Sequence, residues 1–404
     1  MIALILNSGL GHRMGVLTSE QPKCMTEITP RETILSRQLR LLEEAGIEET
    51  VITTGYFDQT LMNYARSLGL RMKITFVNNP RYAETNYIYS IYCARELLRG
   101  QELLLMHGDL VFEASVLEDV LASKESCMKV SSSLALPEKD FKAVVRDGWV
   151  MKVGVPFFED AMEAQALYHL QPADWDRWLD KIEEMCGAGE TGCYAEEALN
   201  RLEGACRIRP LDVGERLCAE IDTPEDLSAV SARLAEIENR TVYLCFSTDL
   251  LHSGHIALLR RARRLGRLTV GVLSDEAVAS YKRFPLVPFQ ERIALMRSLT
   301  LVDRVVEQRT LSYRENLERY RPDYVVHGDD WAAGVQAPIR REVLEILGKQ
   351  GGELVEFPYA REDAYSELEK RARLELSTPD FRRSRLKKLL AMKGTVTVME
   401  ATGA

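Results

Sequence analysis

Three groups of residues in this chain have the types and spacing for phosphate chemistry. The first is Asn7-Ser8-Gly9-Leu10-Gly11-His12-Arg13, which follows an apolar run and precedes Pro22-Lys23. A strand that ends in such a glycine loop bares backbone N–H groups at the carboxyl edge of a sheet, where a triphosphate can lie. Arg13 and Lys23 add cations to offset a leaving pyrophosphate. The spacing differs from Gly-x-x-x-x-Gly-Lys-Ser/Thr, so the loop is not a P-loop. The second group is a pair of carboxylates, Asp109 just after the apolar run Leu103–His107 and Asp222 at the start of a turn and helix. Facing the edge that carries the loop, these two can hold Mg²⁺ against a triphosphate. Each also has a plainer use, Asp109 as a turn residue and Asp222 as a helix N-cap. The third group is His252-Ser253-Gly254-His255. Two histidines at a strand-to-helix turn can both donate to phosphate oxygens, and Gly254 lets a nucleotide approach the backbone.

Such groups need sheets to position them. Ala3–Leu6, Thr50–Thr54 and Leu103–His107 read as strands, and Leu35, Leu39, Leu42 and Ala45 give Ile34–Ala45 a helical period that Gly46 ends. This alternation predicts a mostly parallel, doubly wound sheet. Short β runs fill Val130–Val155, with Asp147-Gly148 as a hairpin signal. Helices are expected from there to Leu202, and one more after Ile221, capped by Asp222 or Thr223 with Pro224 in its first turn. The pattern restarts near Glu238, with strands at Thr241–Phe246, Leu268–Val272 and Asp323–Val326. The expected fold class is α/β, with two Rossmann-like domains at 1–237 and 238–370. A short, charged helical tail at 371–404 follows, ending in a strand-like Thr395–Glu400.

Composition narrows the function classes. A length of 404 residues suits two or three domains, and 46% hydrophobic residues suffice for buried cores. The net charge of −9 argues against a nucleic-acid partner, which usually requires a basic face. No apolar run reaches the length of a membrane span, and Met1–Leu6 lacks the flank and cleavage site of a signal peptide. Eight cysteines without a C-x-x-C pair read as reduced thiols of a cytoplasmic protein. Self-association is left open. Tyr82, Tyr87 and Tyr194, with Glu196 and Glu197, are candidates for an aromatic and acidic pocket that takes an amine head group. The same tyrosines suit ordinary half-buried positions.

Leu6–Arg13, Pro22-Lys23, Thr54-Gly55-Tyr56, His107-Gly108-Asp109 and Glu220-Ile221-Asp222 together resemble the sugar-nucleotide-type nucleotidyltransferases over residues 1–235. Within that superfamily the chain is most similar to phosphocholine and 2-aminoethylphosphonate cytidylyltransferases. Asn7 and Ser8 stand where the family loop has two alanines, and both can donate hydrogen bonds. The resemblance implies that Asn7, Ser8, Gly9, Gly11, Arg13 and Lys23 bind nucleotide and that Asp109 and Asp222 hold Mg²⁺. The stretch containing Tyr82, Asn86 and Tyr87 resembles the segment after the second substrate strand of those enzymes. The second half is similar to the cytidylyltransferases of glycerol phosphate and phosphoethanolamine, through His252–His255, Lys282, Pro288–Arg292 and His327-Gly328-Asp329-Asp330-Trp331. That likeness implies transition-state contacts from His252 and His255, a phosphate contact from Lys282, and nucleotide beside Asp329. Pro358–Glu367 replaces the Gly-Ile-Ser-Thr-like segment of those enzymes and adds Glu362, Asp363 and Glu367, which should weaken phosphate binding there. The tail resembles the start of phosphoenolpyruvate mutase, without its barrel. The implied activity is CMP transfer from CTP to a small phosphonate such as 2-aminoethylphosphonate, in phosphonate biosynthesis. The alternatives are a phosphocholine or sugar-phosphate acceptor, and a second domain that only binds nucleotide or serves assembly.

Overall fold

A computed structural model describes residues 1–9, 11–247, 251–281, 285–331 and 336–358, with positions 383, 384, 387, 390 and 391 beyond them. The last five positions are helical. The chain divides into two compact units, Met1–Ala235 and Glu236–Ala404.

In the first unit the described residues form a nine-stranded sheet. Its parallel half runs in the order Lys73–Asn78, Glu49–Thr54, Ile2–Leu6, Leu103–His107. Ile2–Leu6 has one parallel neighbour that follows it directly and another that the chain reaches only later. The connections therefore diverge at its carboxyl end and open a crevice there. Alternate side chains of this strand serve two cores. Ile2, Leu4 and Leu6 join one apolar cluster, and Ala3 and Ile5 join another. Burial on both faces explains its unbroken apolar run.

Beyond Leu103–His107 the sheet turns antiparallel through Ala161–Leu170. This ten-residue strand lies where helices were expected. Its Ala, Met, Glu, Gln and Leu residues suit a helix by intrinsic preference. Pairing with Leu103–His107, Cys127–Ser131 and Lys142–Arg146 overrides that preference. The hairpin Lys142–Arg146 to Trp149–Gly154 turns at Asp147 and Gly148, whose φ values of 52° and 75° are those of a type I′ turn. Helix Pro172–Gly187 packs Trp175 and Trp178 into the core, and their indole N–H groups donate to Leu98 O and Ala195 O at 2.9 and 2.8 Å.

In the second unit the described residues form a five-stranded parallel sheet in the order Arg304–Gln308, Arg267–Leu273, Thr241–Phe246, Tyr324–Gly328, Glu353–Phe357. Val242, Leu244 and Phe246 face one core, Tyr243 and Cys245 the other. All eight cysteines of the chain are free thiols. Among the described residues no helix is long and apolar enough to cross a membrane.

Candidate active site

The glycine loop leaves the crevice end of Ile2–Leu6. Gly11 takes the left-handed conformation (φ 67°) ahead of a short 3₁₀ segment, and a Cβ there would crowd Lys23 Cβ at 3.1 Å. Lys23 opens a second 3₁₀ turn directly after Pro22. Its ammonium reaches Asp109 Oδ2 at 2.6 Å and Asp222 Oδ1 at 2.5 Å, and Arg13 meets Asp222 Oδ2 at 2.9 Å. Burial lowers the Lys23 pKa, but the two carboxylates outweigh it and hold the ammonium above its usual value. Burial likewise pushes Asp109 up, and Lys23 and His107 bring its carboxyl below the ordinary range.

Asp109 is fixed by the turn it ends. Gln38 donates from Nε2 to His107 O at 2.9 Å and Leu110 O at 2.8 Å, and Gly108 N donates to Leu6 O at 3.0 Å. A Cβ on Gly108 would lie 1.8 Å from Asn7 Oδ1, so no other residue fits that close approach. Leu110–Phe112 pairs antiparallel with Cys218–Glu220, and Ile221 N donates to Asp109 O at 3.1 Å. This small ribbon carries Asp222 across the sequence to Asp109. Asp222 does not cap the helix Pro224–Asn239. Thr223 Oγ1 accepts from Asp226 N at 3.2 Å, and Asp226 Oδ2 accepts from Thr223 N at 2.8 Å. That reciprocal box satisfies the helix start and leaves the Asp222 carboxylate to Lys23 and Arg13.

Leu6, Asn7, Gly9, Gly11, Arg13, Pro22, Lys23, Gly108, Asp109 and Asp222 line one cavity of about 330 Å³. Among the described residues, Asn7 Nδ2 and Asp109 Oδ1 are buried without a hydrogen-bond partner, as is the Oγ of nearby Ser8. Three residues outside the expected site, His107, Glu220 and Asp140, adjoin it. His107 Nδ1 lies 2.7 Å from Glu220 Oε1, and a ring nitrogen of His107, an oxygen of Asp109 and one of Glu220 fall within 4.8 Å of each other. Asp140, Glu220 and Asp222 form a similar cluster. Burial lowers the His107 pKa, but Glu220, Asp109 and Glu196 push it up to about 9. Burial and Asp109 raise Glu220, partly offset by His107. Asp140 is raised by burial and by Asp222, Asp226 and Glu163. The Glu220-x-Asp222 spacing was a usable signal, since Glu220 ends the strand that delivers Asp222 two residues later. Asp140 carries no such signal.

The expected amine pocket is only partly assembled. Tyr87 stacks on Tyr194 with ring centroids 5.6 Å apart, and its hydroxyl donates to Glu196. Tyr168 donates to the other Glu196 oxygen at 3.0 Å. Glu196 is 1% exposed, so both its oxygens are spent inside the protein and it is no direct ligand contact. Tyr82 stands apart from these rings, beside Tyr56 at 6.0 Å. Asn86 caps the helix Tyr87–Leu98, its side chain accepting from Tyr87 N.

In the second unit, His252 precedes the helix Ser253–Leu265 and its Nδ1 accepts from Gly254 N at 3.1 Å. The His252 and His255 ring centroids are 3.9 Å apart. The His327 and Trp331 rings stack at 3.8 Å, and exposed Asp329 opens the turn between them. Thr241–Phe246 and Tyr324–Gly328 are parallel neighbours, so His252 and Asp329 both follow strand ends on one sheet edge. Arg292 is buried and donates to Ser247 O, Leu273 O and Val287 O, and pairs with Asp275. Lys282 and residues 359–367 lie outside the described residues.

Comparison with known proteins matches residues 3–186 to the MobA-like NTP transferase domain and residues 246–383 to the cytidylyltransferase-like family. The second match takes in the first part of the stretch read as a separate tail. CMP-5'-(3-aminopropyl)phosphonate synthase of Streptomyces rubellomurinus is 29% identical over 267 residues, covering 63% of this chain and 41% of that protein. The chain thus spans about two fifths of that relative's length. FAD synthase of Methanopyrus kandleri is 37% identical over 109 residues, covering 23% of this chain and 73% of that protein. A solved Bacillus anthracis protein, assigned as a glucose-1-phosphate thymidylyltransferase, superimposes with a TM-score of 0.50 at 13% identity. That likeness covers 59% of this chain and 96% of the other, and shows a shared fold. The chain belongs to the nucleotidyltransferases, carrying a MobA-like NTP transferase domain followed by a cytidylyltransferase-like domain.

Proposed function

We propose that the first unit transfers CMP from CTP to a small phosphonate such as 2-aminoethylphosphonate and releases pyrophosphate. The observation that carries this reading is Lys23 bridging Asp109 and Asp222 in a cavity floored by the glycine loop. The loop backbone at Gly9 and Gly11, with Arg13, receives the β- and γ-phosphates, and the Asn7 carboxamide and Ser8 hydroxyl add neutral donors. Lys23 offsets the charge that builds as an acceptor oxygen bonds to the α-phosphorus and the α–β bridging bond breaks. The electron pair of that bond leaves with pyrophosphate.

The donor set fits Mg²⁺, a hard cation that prefers carboxylate oxygen, and Asp109 offers a buried oxygen without a protein partner. Asp109 and Asp222 would hold the ion, whose chemistry is to neutralise phosphate charge and align the reacting oxygens. The phosphonate acceptor is supported by the name of the Streptomyces relative. An amine head would meet the outer face of Tyr194, which is 46% exposed, by cation–π attraction. Since Glu196 is spent internally, phosphocholine or phosphoethanolamine suits the same wall. We assign the second unit a nucleotide-binding or assembly role at the His252/His255 edge, in a cytoplasmic protein.

A pyrophosphate-release screen tests this. The four NTPs are run with Mg²⁺ against 2-aminoethylphosphonate, 2-hydroxyethylphosphonate, phosphocholine and phosphoethanolamine. CTP with a phosphonate should give the highest kcat/KM. Asp109→Ala and Lys23→Ala should each lower it at least a hundredfold, about 2.7 kcal/mol or more. Full activity in either folded variant sinks the assignment.

A further inference from the structure

Native proteins rarely leave buried polar atoms unpaired, because each one costs on the order of 1–3 kcal/mol. Among the described residues, four such side-chain atoms gather where two adjacent strands end: Asn7 Nδ2, Ser8 Oγ, His107 Nε2 and Asp109 Oδ1. Leu6 and His107 are register partners across those strands. A cluster of this kind marks where a ligand supplies the missing partners. The glycine loop accounts for Asn7 and Ser8, and the cation-binding role accounts for Asp109. His107 is left without a use.

Its surroundings are those of a group held ready. Glu220 Oε1 engages Nδ1 at 2.7 Å, which fixes the orientation of the ring. Tyr87 and Phe141 meet the ring edge-on, with centroids 4.7 and 6.1 Å away. Gly108 and Asp109, the next two residues, line the cavity. The geometry points to His107 as the residue that seats the acceptor's own phosphonate or phosphate group, with Glu220 as its positioning residue. This rests on the CMP-transfer reading of the cavity that His107 adjoins. In either protonation state Nε2 finds its partner on a tetrahedral phosphorus group. It donates to P–O⁻ as an imidazolium and accepts from P–OH as a neutral ring.

The test uses the full chain labelled with ¹⁵N-histidine, which has only six histidines to resolve. 2-Aminoethylphosphonate and, separately, phosphocholine are titrated in the presence of Mg²⁺ and a non-hydrolysable CTP analogue. The expected result is a shift of the His107 Nε2 resonance with at least one probe, absent in His107→Phe. Glu220→Gln should keep the shift but weaken the probe's binding. In turnover, His107→Phe should raise the acceptor KM by about 10- to 100-fold, the worth of a charge-assisted hydrogen bond, and leave the KM for CTP nearly unchanged. His107→Gln, which retains a polar contact, should recover part of the loss. A His107 resonance unmoved by both probes overturns the assignment, as does a KM for CTP that rises in step with that of the acceptor. Failure of CMP transfer would show separately, as absent pyrophosphate release by the unmodified protein while the resonance still moves.

Discussion

Asp222 and Thr223 are neighbours with opposite duties. Thr223 and Asp226 satisfy the first N–H groups of Pro224–Asn239, and Asp222 pairs with Lys23 and Arg13. Thr223→Ala should therefore cost about 1 kcal/mol of stability, read by denaturant unfolding, while kcat stays near the parent value. Asp222→Ala should do the reverse, abolishing pyrophosphate release with little change in the unfolding midpoint. Equal stability losses in both would mean that Asp222 shares the capping. The sequence left Asp222 and Thr223 as alternative caps because both residue types cap well. Only the hydrogen bonds of Asp226 separate them. Glu196 is the converse case. An acidic residue beside Tyr194 reads as accessible, yet its partners Tyr87 and Tyr168 lie 109 and 28 residues away and close over it.

The helix Ile34–Glu44 shows how an element is fastened behind the site. Thr33 and Ser36 form a capping box at its start, and Gln38 reaches from its middle to the backbone around Asp109. Glu32, just before it, receives Arg37 at 3.0 Å and Arg40 at 2.7 Å. Burial raises the Glu32 pKa, but Arg40 and Arg37 more than reverse this and leave it below the usual value. A depressed folded-state pKa stabilises above the unfolded value, near about 4.3, and that stabilisation is lost as pH falls through the folded one. Glu32→Gln should thus lower stability by roughly 1–3 kcal/mol at pH 7, with the gap to the parent closing in acid. A gap that persists undiminished into the acid range would point to lost packing. Elements of this kind were legible, because the helical period and the terminal Gly46 are local features. So were the hairpin at Asp147-Gly148 and the strands Ile2–Leu6 and Leu103–His107. The strand Ala161–Leu170 was not, because burial on both faces erases the alternation that marks a strand and its residues favour helix.

The whole molecule carries two nucleotidyltransferase-type sheet edges with different chemistry. One presents a lysine and two carboxylates, the other a pair of histidines. On the proposed reading the phosphonate reaction belongs to the first. In the full chain, Asp109→Ala should remove phosphonate-dependent pyrophosphate release, and His255→Ala should leave it unchanged. A large loss in His255→Ala, with the fold intact by circular dichroism, would assign catalysis to the second unit. The glycine loop and the histidine pair could be recognised from local spacing alone. The contribution of Asp140 could not, since no spacing marks it, and neither could the pairing of Glu220 with His107, since a ribbon between distant stretches of sequence brings the two together.

Trp175 and Trp178 give the first unit a built-in optical reporter. Both indoles are fully buried, and Trp178 donates to the peptide oxygen just ahead of Glu196 while its ring meets Tyr168 edge-on at 5.3 Å. Glu196 in turn holds Tyr87, which touches His107. The colour and yield of Trp178 fluorescence should therefore respond to the wall that an acceptor would face, a change read against the chain's three other tryptophans without a label or a radioactive nucleotide.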